Sequence, residues 1–197
     1  RGITIEVRQI ELGTSEREIM GCDLIFMGGA QDREQKIAAD DLRLRKGPAI
    51  RATIVDGTPG LFVCAAYQFM GHYYRPAEGL DLPGVGLFDI VTHHPGTQVP
   101  RCIGNIAIEL APAAADWPVR TLVGFENHGG RTYLGDKATP LGTTIAGYGN
   151  NGVDHTEGAV FKNAYGCYLH GPVLPKNPHL ADHLLRPALR HSHQDAN

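Results

Sequence analysis

Apolar and polar positions along the chain form short hydrophobic runs, and several of these runs are followed by a stretch that can form a helix. The first unit has an apolar strand at residues 22–27, a break at Gly28-Gly29 and a polar helix at residues 32–46 that ends at Gly47-Pro48. A second unit covers residues 60–75. Further strands are predicted at residues 86–91, 103–110, 121–125, 143–146 and 159–161, and a helix at residues 178–191.

Repeated strand-loop-helix units build a parallel sheet with helices on its faces, and strands joined without a helix pair antiparallel. The pattern therefore predicts an α/β domain of three layers, whose central sheet is mostly parallel with antiparallel additions. We assign residues 1–190 to this domain and residues 191–197 to a frayed tail on the surface. Residues 1–7 alternate like a strand. A doubly wound fold would place one more strand and helix, about 30 residues, before them.

Composition limits the functions open to this chain. With 197 residues, 42% of them hydrophobic, it can bury one substantial core. Its 18 Lys and Arg are scattered among 21 Asp and Glu, so the sequence offers no basic runs for nucleic acid. No segment has the length of a membrane span and the start has no signal-peptide pattern, so we expect a cytoplasmic protein. Four widely spaced cysteines suit a reducing compartment.

One of these cysteines stands where a reactive group would be presented. Cys64 ends the apolar run 61–63 and a helix-compatible stretch follows at once, which is typical of a nucleophile elbow at the carboxyl edge of an α/β sheet. His170 follows another strand-like run and could serve as the base for a thiolate. The alternative is a small buried structural residue, which is what we expect for the other three cysteines, Cys22, Cys102 and Cys167.

Four sequence blocks, in a fixed order across nearly the whole chain, resemble class I glutamine amidotransferases of the cobyric-acid-synthase type. They are residues 28–35 (GGAQDREQ), 63–68 (VCAAYQ), 124–132 (GFENHGGRT) and 168–178 (YLHGPVLPKNP). Within this family the blocks are most similar to glutaminase subunits that supply ammonia for amidating the peptidoglycan stem peptide. The resemblance implies the class I glutamine amidotransferase fold and L-glutamine as substrate.

The resemblance also implies roles for the reactive groups. Cys64 would attack the side-chain carboxamide of glutamine as a thiolate and form a γ-glutamyl thioester. His170 would assist thiolate formation, protonate the departing ammonia and activate the hydrolytic water. Backbone N–H groups of the turn at Gly28, Gly29 and Ala30, together with that of Ala65, would stabilise the oxyanion.

Four further residues acquire supporting roles from the resemblance. Gln68, one helical turn beyond Cys64, would bind polar groups of the substrate. Arg101 would hold the α-carboxylate of glutamine through its planar guanidinium, and the alternative is a solvated loop side chain. Glu126 and His128 would lie near the pocket and support the reactive groups.

Two departures from the family leave questions open. Many members carry a glutamate two positions after the catalytic histidine, where this chain has Pro172. His170 would then act in a dyad, or a distant group would orient it, the candidates being Glu126, Asn127, Glu157 and Asn177. Ala65-Ala66 stands where close relatives tend to have two glycines, and the methyl groups would tighten the pocket without removing the backbone donors.

Histidines and carboxylates elsewhere do not predict a metal site. His93 and His94 are adjacent, so in a strand their side chains point to opposite faces. His128 and His155, the latter beside Asp154, add no pair spaced for zinc. Surface or hydrogen-bonding roles are therefore favoured for these side chains.

Amidating a carboxylate with ammonia requires activation, usually by ATP, yet the sequence has no phosphate-binding loop motif. The resemblance implies that ATP and Mg²⁺ bind a separate Mur-ligase-like synthetase chain of the MurT type, which would form a heterodimer with this chain and receive its ammonia. No cofactor is expected in this chain. Three alternatives stay open: a cobyric-acid-synthase-like amidotransferase subunit, a cysteine hydrolase of γ-glutamyl bonds, and a non-catalytic module that positions a synthetase.

Overall fold

A computed structural model describes residues 2–29, 39–111, 117 and 119–194. The strands in these ranges are β1 Ile25–Met27, β2 Gly60–Val63, β3 Tyr73–Arg75, β4 Leu82–Pro83, β5 Ile90–His93, β6 Cys102–Leu110, β7 Thr121–His128, β8 Arg131–Leu134, β9 Gly142–Ala146, β10 Thr156–Glu157, β11 Ala159–Phe161 and β12 Ala164–Cys167. The helices are α1 Arg17–Met20, α2 Gly47–Asp56, α3 Ala65–Phe69, α4 Val173–Lys176 and α5 Pro178–Gln194, and a π-helical stretch, Leu42–Lys46, precedes α2.

The central sheet has the strand order β1-β2-β12-β11. Strands β1, β2 and β12 are parallel, and β11 is antiparallel to β12. Strand β2 is buried along its whole length, as expected for a strand covered on both faces. Phe62 packs into one hydrophobic cluster, whereas its neighbours Leu61 and Val63 pack into a second. This alternation puts the two clusters on opposite faces of the sheet.

Helices complete the layers on both sides of this sheet. Ile50 and Ile54 of α2 lie in the cluster that contains Phe62. Leu180 and Leu184 of α5 lie in the opposite cluster, because residues four apart share one face of a helix. The layered architecture, mostly parallel in its central sheet with an antiparallel addition, confirms the predicted fold class.

Two smaller four-stranded sheets complete the described part of the domain. One is antiparallel, in the order β10-β9-β6-β7, and the other is mixed, in the order β4-β3-β5-β8. An isolated antiparallel bridge between Phe125 of β7 and His170 joins the first of these sheets to the segment after β12. None of the helices in the described ranges has the length and hydropathy needed to cross a bilayer.

Several predicted boundaries were wrong. Residues 2–7 form no strand, and Ile5 and Val7 are exposed, so their alternating pattern has neither a pairing edge nor a core to cover. The strand predicted at 86–91 begins only at Ile90. Helix α5 continues to Gln194, so residues 191–194 are helical, while residues 195–197 of the predicted tail lie outside the described residues.

The predicted break at Gly47-Pro48 does not occur. Helical structure runs from residue 39 through the π-helical stretch into α2, where Pro48 occupies the first turn. Pro48 follows directly after the π-helical stretch, where the Gly47 N–H donates to the Leu42 carbonyl. Residues 32–38 of the predicted helix lie outside the described residues.

Candidate active site

Cys64 occupies the turn between β2 and α3. Its backbone has φ 59° and ψ −116°, a region that non-glycine residues rarely occupy and that costs about 1–3 kcal/mol. The strain is maintained by hydrogen bonds on both sides, because the Cys64 N–H donates to the Cys167 carbonyl at 2.9 Å and its own carbonyl accepts from the Gln68 N–H at 3.1 Å. The turn has the geometry of a nucleophile elbow, which lifts the sulfur above the carboxyl edge of the sheet.

His170 is carried to the same edge by the neighbouring strand. β12 runs parallel to β2 with Cys167 opposite Val63, so both chains leave the sheet at one level. The His170 N–H donates to the Phe125 carbonyl at 2.8 Å, and ring Nδ1 lies 3.0 Å from the same oxygen. Because a carbonyl only accepts, Nδ1 carries a proton, and the neutral ring presents Nε2 as its proton acceptor.

This contact answers the question of which group orients His170. The Nδ1 partner is the backbone carbonyl of Phe125, not one of the four candidate side chains. Glu157 accepts the Tyr168 N–H at 2.6 Å, and the amide of Asn177 binds the backbone of Val123. A backbone carbonyl fixes the tautomer of an imidazole without adding a negative charge beside it.

Burial lowers the pKa of His170 below its ordinary value of 6.5, and the charges of His128 and Arg101 act in the same direction. Hydrogen bonds with the backbone of Phe125 and Tyr168 oppose the shift. The net effect keeps the ring neutral, and thus able to accept a proton, over more of the range below neutral pH.

We expect the acidic limb of the pH dependence of kcat/KM for glutamine hydrolysis to have its midpoint below 6.5, because kcat/KM reports titration in the free enzyme. Arg101→Gln should move this midpoint upward, since it removes a charge that lowers the pKa of His170. Arg51→Gln is the control, as its guanidinium binds the Gly86 carbonyl and covers the Phe161 ring. A wild-type midpoint above 6.5 would contradict this account.

The Gly28-Gly29 turn after β1 lies against the nucleophile. A Cβ at Gly29 would stand 3.3 Å from Cβ and 3.5 Å from Sγ of Cys64, and 4.0 Å from the Ala65 nitrogen. Ala65 is the first residue of α3, where N–H groups have no partner within the helix. The backbones of Gly29 and Ala65 therefore flank the sulfur on two sides. Ala30 lies outside the described residues.

Gln68 is buried below this site and binds Tyr168. Its Nε2 donates to the Tyr168 hydroxyl at 3.1 Å, and that hydroxyl lies 2.6 Å from Oγ1 of Thr132. Burial raises the pKa of Tyr168, so the hydroxyl stays protonated. A sequence pattern alone would place Gln68 on the surface, whereas the structure uses its amide nitrogen to hold the residue two positions before His170.

Arg101 is exposed and lies across the end of β7. Its Nε donates to Oδ1 of Asn127 at 2.9 Å and its Nη2 to the Asn127 carbonyl at 3.2 Å. The third nitrogen, Nη1, lies 3.3 Å from the position of a Cβ at Gly129. The guanidinium is therefore anchored by two nitrogens and presents the third to the segment after β7.

Glu126 and His128 are buried supports, pointing to the inner face of β7. Glu126 accepts backbone N–H groups from Tyr148 at 2.6 Å and Gly149 at 3.0 Å. The His128 ring stacks on Tyr168 with centroids 3.6 Å apart, its Nδ1 lies 2.8 Å from the Gly130 carbonyl, and its Nε2 lies 3.6 Å from Oε2 of Glu126. Both side chains fix the segments that border the reactive groups.

The residues that the sequence predicts for the reactive site thus lie at one edge of the central sheet. Cys64 and His170 follow neighbouring parallel strands, and Gly29 lies against Cys64 and Ala65. Gln68 and the Glu126-His128 pair are buried and contact Tyr168 or each other. Sequence reasoning missed the Phe125 carbonyl, which no side-chain pattern reveals. Among the described residues no group of three or more His, Cys, Asp or Glu could hold a metal ion.

Comparisons with known proteins agree with this geometry. The sequence matches the CobB/CobQ-like glutamine amidotransferase domain over residues 3–178. It is 43% identical over 185 residues to lipid II isoglutaminyl synthase (glutamine-hydrolyzing) subunit GatD of Staphylococcus aureus strain N315, a match that covers 93% of this chain and 71% of that protein. It is 40% identical over 169 residues to the subunit of the same name from Streptococcus pneumoniae strain R6, covering 85% of this chain and 62% of that protein.

A solved structure shares the fold of this chain. A crystal structure of a glutamine amidotransferase matches 88% of this chain and 83% of its own chain with a TM-score of 0.62, at 12% sequence identity. At that identity the likeness concerns the fold, and the family follows from the sequence match. This chain therefore belongs to the CobB/CobQ-like family of glutamine amidotransferases.

Proposed function

We propose that this chain is a glutaminase subunit that hydrolyses L-glutamine to glutamate and ammonia through a cysteine thioester. The observation that carries the proposal is the strained Cys64 turn beside the parallel strand that leads to His170. A cysteine at an elbow, at the same sheet edge as a neutral imidazole whose Nδ1 proton is engaged, is an arrangement that suits nucleophilic catalysis. The names of the two GatD relatives support the same activity.

In the proposed reaction, Nε2 of His170 takes the thiol proton as the sulfur of Cys64 attacks the carboxamide carbon of glutamine. The resulting oxyanion accepts N–H groups from the Gly28-Gly29 turn and from Ala65. The C–N bond then breaks, the imidazolium gives its proton to the departing ammonia, and a γ-glutamyl thioester remains on Cys64. His170 next removes a proton from water, which attacks the thioester and releases glutamate and the thiol.

We further propose that the ammonia is used by a separate ATP-dependent, Mur-ligase-like synthetase of the MurT type. Both relatives are named as a subunit of lipid II isoglutaminyl synthase. The acceptor would therefore be the D-glutamate of the lipid II stem peptide, converted to D-isoglutamine during peptidoglycan biosynthesis. ATP and Mg²⁺ would bind the synthetase. A heterodimer would protect ammonia from dilution and protonation in water. The need for ATP favours the cytoplasm.

A covalent probe tests the nucleophile. The full-length protein, co-purified with its partner, is treated with a diazoketone analogue of glutamine and mapped by peptide mass spectrometry. We expect one adduct, on Cys64, and loss of glutamate release in proportion to labelling. Cys22→Ala is the matched control, because this half-exposed thiol binds the Glu18 carbonyl and its removal should leave labelling unchanged. An unlabelled, inactive wild-type complex would support the non-catalytic module.

A second experiment tests the acceptor. The co-purified chain is identified by mass spectrometry, and glutamine labelled with ¹⁵N in its amide is supplied with ATP and lipid II. Label on the D-glutamate residue is the expected result, and it should require both chains. The CobB/CobQ-like family match favours one alternative acceptor, a corrinoid carboxylate, and label found there instead would replace the peptidoglycan assignment.

A further inference from the structure

A second hydrogen-bond donor lies beside Arg101. His94 follows β5, and its Nε2 lies 2.8 Å from the position of a Cβ at Gly129. Nη1 of Arg101 lies 3.3 Å from the same position. Both nitrogens therefore pack against Gly129 from neighbouring positions, and a side chain at residue 129 would collide with them.

The proton of His94 is on the nitrogen that faces Gly129. The Gly96 N–H donates to Nδ1 of His94 at 3.1 Å, so Nδ1 accepts and the ring proton sits on Nε2. The His94 N–H donates to the Arg75 carbonyl at 2.7 Å, which fixes the backbone from which the ring projects. Nε2–H is thus a positioned donor in either charge state of the ring.

Arg131 holds the two segments of this cluster together. Its Nη1 donates to the Gly129 carbonyl at 2.9 Å and its Nη2 to the Pro100 carbonyl at 2.7 Å. The residue before Arg101 and the turn at Gly129 are therefore tied by one guanidinium. This clamp sets the separation between the Arg101 side chain and the turn.

The cluster lies near the reactive groups, because the charge of Arg101 acts on His170 and lowers the pKa of its ring. A Cβ at Gly130 would stand 2.8 Å from Nε2 of Gln68, which is one helical turn beyond Cys64. Within the described ranges, no acidic side chain forms an ion pair with Arg101 or His94. The two neighbouring side chains offer N–H donors that no carboxylate of the described protein pairs with. Such donors suit the carboxylate of a bound ligand.

We propose that Nε2–H of His94 and Nη1 of Arg101 together bind the α-carboxylate of substrate glutamine, which makes His94 a specificity-determining residue. The inference rests on the proposed glutaminase function. Glutamine would span the site with its carboxamide at Cys64 and its α-carboxylate between the two donors. A hydrogen bond to a charged group is among the stronger polar contacts in proteins, so its loss weakens binding about tenfold or more.

The test compares His94→Ala with two matched variants, each as the full-length chain in complex with its partner. His94→Ala should raise KM for glutamine about tenfold and leave kcat within about twofold. His94→Gln retains an N–H at similar reach and should recover most of the loss. His93→Ala should behave as wild type, because the His93 ring stacks on Tyr73 and approaches Tyr133 instead.

Glutaminamide, which lacks the α-carboxylate, provides the specificity readout. Wild type should prefer glutamine, and His94→Ala should lose about tenfold of that preference while its kcat/KM for glutaminamide stays unchanged. Titration of glutamine into Cys64→Ala protein should show the same tenfold weakening when His94→Ala is added. Unchanged binding, or equal losses for both substrates, would overturn the role of His94 while glutamate release by wild type persists. A wild-type complex that releases no glutamate would overturn the proposed function and this inference with it.

Discussion

Cys64→Ala is expected to lower kcat for glutamine hydrolysis by at least about 10⁴-fold. The substitution removes the only atom that the proposed route uses for a covalent bond to the substrate, and the remaining backbone donors can then only polarise the carboxamide. Glutamine binding should persist, because the Arg101 side of the pocket is untouched. Glutamate release, measured with an excess of glutamine on the complex, gives kcat directly.

The stability of this variant serves as its internal control. Alanine at position 64 keeps a Cβ in the same strained conformation, with φ 59° and ψ −116°, and keeps the backbone hydrogen bonds to Cys167 and Gln68. The thermal midpoint should therefore change little while activity disappears. Cys102→Ala gives the opposite comparison, since it removes a buried thiol outside the proposed mechanism and should cost stability with kcat retained. A Cys64→Ala enzyme within tenfold of wild-type kcat would exclude the thioester route.

The elbow could be predicted from sequence because its signals are local. An apolar run, one nucleophile and a helix-forming stretch occupy adjacent positions around Cys64, and strand β2 and helix α3 follow that pattern. His170 could be predicted because a strand end is also local, and parallel pairing of β12 with β2 brings the two ends together. The four family blocks added the roles, which no spacing alone would supply.

Features that depend on distant contacts could not be predicted in this way. The oxygen that orients His170 belongs to Phe125, and only an isolated bridge between a sheet and a loop brings the two together. His94 reads as a surface histidine until Gly129 is placed against it. For residues 2–7 the local pattern predicted a strand that the structure does not have. An alternating pattern forms a strand only where a sheet edge is available to pair with it.

Glu157→Gln is expected to stabilise the fold at alkaline pH, because the carboxyl group that it replaces is buried. Oε1 of Glu157 accepts the Tyr168 N–H at 2.6 Å, and Oε2 is buried without a hydrogen-bond partner in the described part of the chain. Burial raises the pKa of Glu157 from 4.5 to about 8, with a further contribution from the charge of Glu126. The folded protein therefore holds this proton at neutral pH.

The sign of the effect follows from proton binding. Between pH 4.5 and pH 8 the unfolded chain loses the Glu157 proton while the folded chain keeps it, so the free energy of unfolding falls as the pH rises through this window and the loss is constant above it. Each unit of pKa difference corresponds to about 1.4 kcal/mol. Allowing for relaxation around the buried group, we expect wild type to lose about 3 kcal/mol from this residue between pH 5 and pH 8.5.

Glutamine at position 157 keeps an acceptor for the Tyr168 N–H and cannot ionise. The variant should therefore match wild type near pH 5 and exceed its free energy of unfolding by about 3 kcal/mol near pH 8.5, as measured by urea denaturation at both pH values. Glu109→Gln is the control, because this carboxylate lies exposed on β6 and its removal should not change the pH dependence. Parallel pH curves for wild type and Glu157→Gln would mean that the carboxyl already ionises in the fold near its ordinary pKa. In that case a charge, not a proton, would lie beside the Tyr168 N–H, two residues before His170.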